Sequence, residues 1–127
     1  MKKYIFLLLI GSPLSACSEK DDSTLLAPKA FQQRFQETPN AVLLDVRTLE
    51  EVEAGRIKGE INFDFKAPEF DVLIKGLDKT KPYFVYCASG VRSAKVAAKM
   101  ESEGFEKVYL LEGGIKAWEA EGLPVQK

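Results

Sequence analysis

The sequence predicts a single α/β domain with a central parallel sheet of four or five strands, flanked by helices on both faces. Three observations predict it. Ala41 to Val46, Phe84 to Cys87 and Val108 to Leu111 are nearly continuous apolar runs, the pattern of strands buried on both faces of a parallel sheet. Segments of helical periodicity alternate with these runs. The 127 residues, 46% of them hydrophobic, supply one core and little more.

The elements follow in order. Pro28 suits the first turn of a helix running through Phe31 and Phe35 to about Glu37, and Pro39-Asn40 makes a turn into the first buried strand. Thr48 with Glu51 three residues on reads as a capping box, and Gly55 stops that short helix. Ile61-Asn62-Phe63 makes a brief strand. Phe70 to Leu77 is a helix with apolar residues at 70, 73, 74 and 77. The strand Phe84 to Cys87 leads into a helix from about Val91 to Glu103, and the strand Val108 to Leu111 into a closing helix from Ile115 to Ala120. These place the folded domain at residues 28–127.

The amino end is of another kind. Lys2 and Lys3 precede an uninterrupted apolar stretch from Tyr4 to Ile10, which Gly11, Ser12 and Pro13 break; this is the design of an export signal, too short to span a bilayer comfortably. Leu14-Ser15-Ala16-Cys17 then resembles a bacterial lipobox, which implies a lipoprotein signal peptide over 1–16 and a lipid on Cys17. An ordinary secretory signal cut near Ala16, or an uncleaved anchor, is the alternative. Residues 17–27 are expected to form the lipidated cysteine and a flexible tether, roughly 17 Å long for about ten residues. Loss of Lys2 and Lys3 makes a chain of formal net charge −1 more acidic. The expected location is the periplasmic side of a bacterial membrane. Ser18, rather than Asp, after Cys17 leans towards the outer membrane by resemblance to sorting rules.

Composition removes several chemistries. There is no His, which excludes His general bases, Cys/His and Ser/His dyads and His-ligated metals. No metal or cofactor is expected. With 18 Lys+Arg against 19 Asp+Glu and no basic run, nucleic acid is not an expected partner. A monomer is expected. Lipidation of Cys17 would leave Cys87 as the one free thiol in an oxidising compartment, which invites a functional explanation; a small buried core residue is the bland alternative.

One loop stands out. Cys87-Ala88-Ser89-Gly90-Val91-Arg92-Ser93 lies directly between a buried strand and a helix, at the sheet's carboxyl edge where ligands gather. Small residues and Gly90 let the backbone curl so that successive N–H groups point at the sulfur, and the helix adds its amino-terminal N–H groups and dipole. Both favour the thiolate, the reactive form. Histidine is then unnecessary. The reading requires a thiol open to solvent and amides that face inward. Arg92 offers a cation to an incoming oxyanion such as a sulfonate or thiosulfonate. Arg92, Lys95, Lys99 and Glu103 also recur at intervals of 3, 4 and 4, as a solvated helix stripe does.

The run from Val85 to Ala94 resembles the active-site loop of single-domain rhodaneses, sulfurtransferases that carry sulfur as a cysteine persulfide. Other segments agree in order: Leu44 to Glu51 with the family's Asp-x-Arg segment, Gly55 to Asn62 with its Gly-His-Ile-Pro-Gly-Ala-Ile-Asn segment, and Leu111 to Trp118 with its closing Gly-Gly and Trp. The resemblance covers roughly Pro28 to Pro124. It implies that Cys87 is the sulfur carrier, with Ala88, Ser89, Gly90, Val91 and Arg92 as the cradle. Asp45 and Arg47 should sit near the loop, Asp45 either helping to hold it or pairing locally with Arg47. Gly113, Gly114 and Trp118 read as turn and core packing. The donor would be a small sulfur-containing anion, the acceptor a thiol, cyanide or a reductant protein.

Departures limit the resemblance. Ala88 stands where many members have Arg, which implies that thiosulfate is a poor donor, and Arg56 and Lys58 replace the usual His and Pro. Four residues lie between Cys87 and Arg92, whereas cysteine phosphatases and related arsenate reductases carry five, so the ring suits a sulfur atom better than a phosphate. A binding or sensing module that keeps the fold without turnover is the alternative from another class.

Overall fold

The computed structural model describes residues 24–127; the expected signal peptide, Cys17 and the expected tether up to residue 23 lie outside the described residues. Five strands, β1 (Leu25–Leu26), β2 (Val42–Asp45), β3 (Glu60–Asn62), β4 (Pro82–Tyr86) and β5 (Lys107–Leu111), form one sheet in the order β1-β5-β4-β2-β3. Every pairing is parallel. The helices are α1 (Pro28–Glu37), α2 (Leu49–Ala54), α3 (Phe70–Lys75), α4 (Val91–Ser102) and α5 (Gly114–Ala120).

The expectation of a flexible leash up to Ala27 is corrected at its end. Leu25 and Leu26 pair with Leu110 and Leu111 as an edge strand, and Leu26 is buried among the core residues of one face. Burial of one leucine with two ladder positions holds this segment against the sheet.

Strand alternation sorts the core into two layers. Leu44, Val46, Val85 and Cys87 point to one face, against Phe70 and Ile74 of α3 and Val96 and Met100 of α4. Leu43, Phe84 and Tyr86 point to the other, against Phe31 of α1 and Ile115 and Trp118 of α5. On that face Phe84 stacks on Tyr109 at 4.6 Å and meets Phe31 and Phe35 edge-on, each at 5.4 Å. β4 lies in the middle of the sheet, with β2 on one side and β5 on the other. Its carboxyl end therefore opens between the loops that follow β2 and β5, and Cys87 is the first residue beyond it.

Candidate active site

Gly90 turns the chain from β4 into α4 with φ +104°, a left-handed conformation that a side chain would strain. The turn brings the Gly90 N–H to 3.0 Å from Cys87 Sγ. The thiol itself donates to Ser93 Oγ at 3.4 Å, and the Ser93 hydroxyl donates to the Gly90 carbonyl at 3.3 Å. Once the thiol loses its proton, that hydroxyl is in place to donate to sulfur instead. Burial pushes the Cys87 pKa up. The Ser93 hydroxyl and the Ser93, Gly90 and Ser89 amides together outweigh it and hold the thiol below its ordinary range. Ser89 and Gly90 of the predicted cradle thus turn their amides to the sulfur. Ala88, Val91 and Arg92 belong to the same strand-to-helix turn, Val91 with its side chain exposed.

Ser93 was outside the predicted set. It is fully buried, and it supplies both an amide and a hydroxyl. Its signal was local: the third residue of a helix contributes one of the unpaired amides at the helix start.

The expected openness of the thiol is not met. Cys87 is 1% exposed, packed with Val85 and Val96 in the layer beneath α4. β4 delivers the side chain to the helix-covered face, and Ser93 sits over it.

The back of the loop is held by the segment after β5. The Cys87 carbonyl accepts from Ile115 N–H at 2.9 Å, and the Ala88 carbonyl from Lys116 N–H at 3.1 Å. With both carbonyls tied to the start of α5, the loop's amides are left to face the sulfur. Gly114, at φ +63°, allows this approach: a Cβ there would stand 2.5 Å from the Ala88 carbonyl carbon and oxygen. The pair Gly113-Gly114 therefore positions the loop, beyond the turn and packing role read from sequence, while Trp118 packs in the core as expected.

Arg92 is already engaged. Its Nη1 and Nη2 donate to the two carboxylate oxygens of Glu51 at 2.7 and 2.8 Å, so the predicted free cation is a two-point ion pair. Glu51 also accepts from the Thr48 N–H and hydroxyl, while the Thr48 hydroxyl oxygen accepts from the Glu51 N–H; the predicted capping box is present. The hydrogen bonds from Arg92, reinforced by those from Thr48, hold the Glu51 carboxyl down at about 2 despite partial burial.

Asp45 does not hold the loop. It pairs in register with Tyr86 and shares that face of the sheet, whereas Cys87 points to the other. Arg47 donates to Asp45 from its backbone N–H, Nε and Nη2, at 2.7 to 3.2 Å, in a pair with both side chains almost wholly buried. The remaining guanidinium contacts reach the carbonyls of Glu51 (3.2 Å) and Gly55 (2.7 Å), and the group lies over the Tyr86 ring. Asn62 closes the unit by donating to the carbonyls of Asp45 and Arg47. Local pairing is thus the role found, and its effect is to pin α2, which carries Glu51 to Arg92.

An apolar cavity of about 400 Å³ lies elsewhere, lined by Phe31, Phe35, Leu43, Ile57, Trp118 and Pro124 among others. None of the residues lining it belongs to the 87–93 loop.

Fold and site together define a parallel α/β protein whose candidate site is built around one thiol on a strand-to-helix loop. The chain belongs to the rhodanese family: the rhodanese-like domain matches residues 27–121. It is 33% identical over 103 residues to the thiosulfate sulfurtransferase of Actinobacillus succinogenes, covering 81% of this chain and 90% of that one. It is 38% identical over 96 residues to the tRNA uridine(34) hydroxylase of Legionella pneumophila, but that match covers 72% of this chain and only 37% of the relative. Among solved structures, the rhodanese-related protein of Thermoplasma volcanium superposes with a TM-score of 0.70 at 31% identity, over 80% of this chain and 95% of the other. Kinship with sulfurtransferases at about 30% identity supports sulfur transfer in general.

Proposed function

We propose that the protein is a sulfurtransferase that carries sulfur as a persulfide on Cys87, between a donor such as thiosulfate or polysulfide and a thiol or cyanide acceptor. The observation that carries this reading is the ring of inward amides and the Ser93 hydroxyl that favour the Cys87 thiolate. The thiolate attacks the donor's outer sulfur: a Cys87 S–S bond forms, the donor's S–S bond breaks, and the leaving group, sulfite in the case of thiosulfate, keeps the electron pair. An acceptor thiolate or cyanide then takes the outer sulfur and restores the thiolate. With Cys87 1% exposed, a donor reaches the sulfur only when the residues covering it move.

Thiocyanate formation from polysulfide and cyanide tests this, with loss of turnover in Cys87→Ser expected. A phosphomonoesterase assay beside it is expected to show no Cys87-dependent phosphate release. Near-complete burial of Cys87 is the observation that favours the other reading, a module with the fold and no turnover; Cys87-independent rates with every donor would establish that one.

Export on a lipid tether through Cys17, to the periplasmic side of a bacterial membrane, is part of the same proposal and rests on the lipobox resemblance. Incorporation of labelled fatty acid, lost in Cys17→Ala, tests it.

A further inference from the structure

We propose that Glu51 is a specificity-determining residue: by holding Arg92 in a two-point ion pair it withholds the loop's guanidinium from dianionic donors, and leaves Cys87 to take sulfur from donors of lower charge, such as an organic persulfide. The inference deepens the sulfur-transfer reading and rests on it.

Both arginines expected near this loop are matched with a carboxylate. Arg47 is taken up by Asp45 on the far face of the sheet, and Arg92 by Glu51. Arg92 lies within electrostatic reach of the Cys87 sulfur, so it is the cation placed to help an anionic donor. A bidentate guanidinium–carboxylate pair is among the stronger charge-assisted contacts, and a donor would have to displace one arm of it. Glu51 is about one third exposed, which sets its own negative charge at the rim. The Arg92 hydrogen bonds hold its carboxyl well below the usual carboxylate range, so pH changes near neutrality do not release Arg92. Ala88 adds no charge. A thiosulfate dianion approaching the thiolate therefore meets backbone amides and a cation already neutralised. The persulfide of 2-mercaptoethanol, R–S–SH, carries no such burden: Cys87–S⁻ takes its outer sulfur as Cys87–S–SH and releases R–S⁻, with no oxidant or reductant consumed.

Glu51→Gln is the clean variant, since glutamine at this helix position keeps the capping box while the charge is removed. The full chain is assayed with cyanide as acceptor, and with thiosulfate and 2-mercaptoethanol persulfide as alternative donors. The readout is the ratio of their kcat/KM values, which a general loss of folded or active protein does not move. Freed Arg92 is expected to raise the thiosulfate-to-persulfide ratio by about tenfold or more, as a charge-assisted contact to the donor would. Glu51→Gln combined with Arg92→Ala is expected to lose that gain. Glu51→Ala, which frees the same guanidinium, must move the ratio in the same direction. An unchanged ratio, or a gain that persists without Arg92, overturns the role given to Glu51 while sulfur transfer stands. Absence of Cys87-dependent transfer from both donors in the wild type overturns the sulfur-transfer reading itself, and this inference with it.

Discussion

A thiolate without a histidine has to be stabilised by its own loop, and at Cys87 the balance is between burial, which opposes the charge, and hydrogen bonds, which favour it. The bonds win, so the folded protein binds the thiol's proton more weakly than the unfolded chain does. The linked stability is present at pH above the ordinary thiol range and is lost as pH falls through the lowered folded value. Thiolate absorbance followed against pH is expected to show a midpoint below that of a free cysteine. In Ser93→Ala the hydroxyl is gone and the midpoint moves up; the amides of Ser89, Gly90 and Ser93 keep part of the effect. An unmoved midpoint would remove Ser93 from the site.

Two elements converge on the loop, α5 through the loop's carbonyls and α2 through the Glu51 carboxylate on Arg92. The start of α5 ties the carbonyls of Cys87 and Ala88, and Gly114 is the residue that lets it come so close. Gly114→Ala puts a methyl group into backbone that cannot retreat. Displacement of the loop is expected to lower kcat/KM on the order of tenfold to a hundredfold, measured by thiocyanate formation. On the other side, Arg47 satisfies the carbonyls of Glu51 on α2 and of Gly55 just past its end, while Asp45 neutralises it. Asp45→Ala leaves that buried guanidinium unpaired and is expected to cost about 3–5 kcal/mol of stability, read from denaturant midpoints at unchanged slope.

At the scale of the molecule, the alternation of apolar runs with helical periods made the parallel sheet legible, and the strand-to-helix placement of Cys87 made the site legible. What was hidden depended on register and on contacts distant in sequence. The capping box of Thr48 and Glu51 could be read three residues apart, but the second use of Glu51, on Arg92, exists only once β2 and β4 lie side by side. That Asp45 and Cys87 face opposite ways follows from pairing Asp45 with Tyr86, and sequence carries no sign of that register. Leu25–Leu26 is too short to show alternation, so its sequence does not distinguish a strand from a tether. Likewise the covering of Cys87 comes from α4 folding back over the layer that Val85 begins.

The most direct measurement is the intact mass of the protein after exposure to polysulfide, thiosulfate or an organic persulfide, with the modified residue mapped by peptide analysis. A gain of one sulfur atom on Cys87, removed by cyanide and absent from Cys87→Ser, is the predicted result. No adduct with any of the three donors, or an adduct that survives in Cys87→Ser, would contradict it.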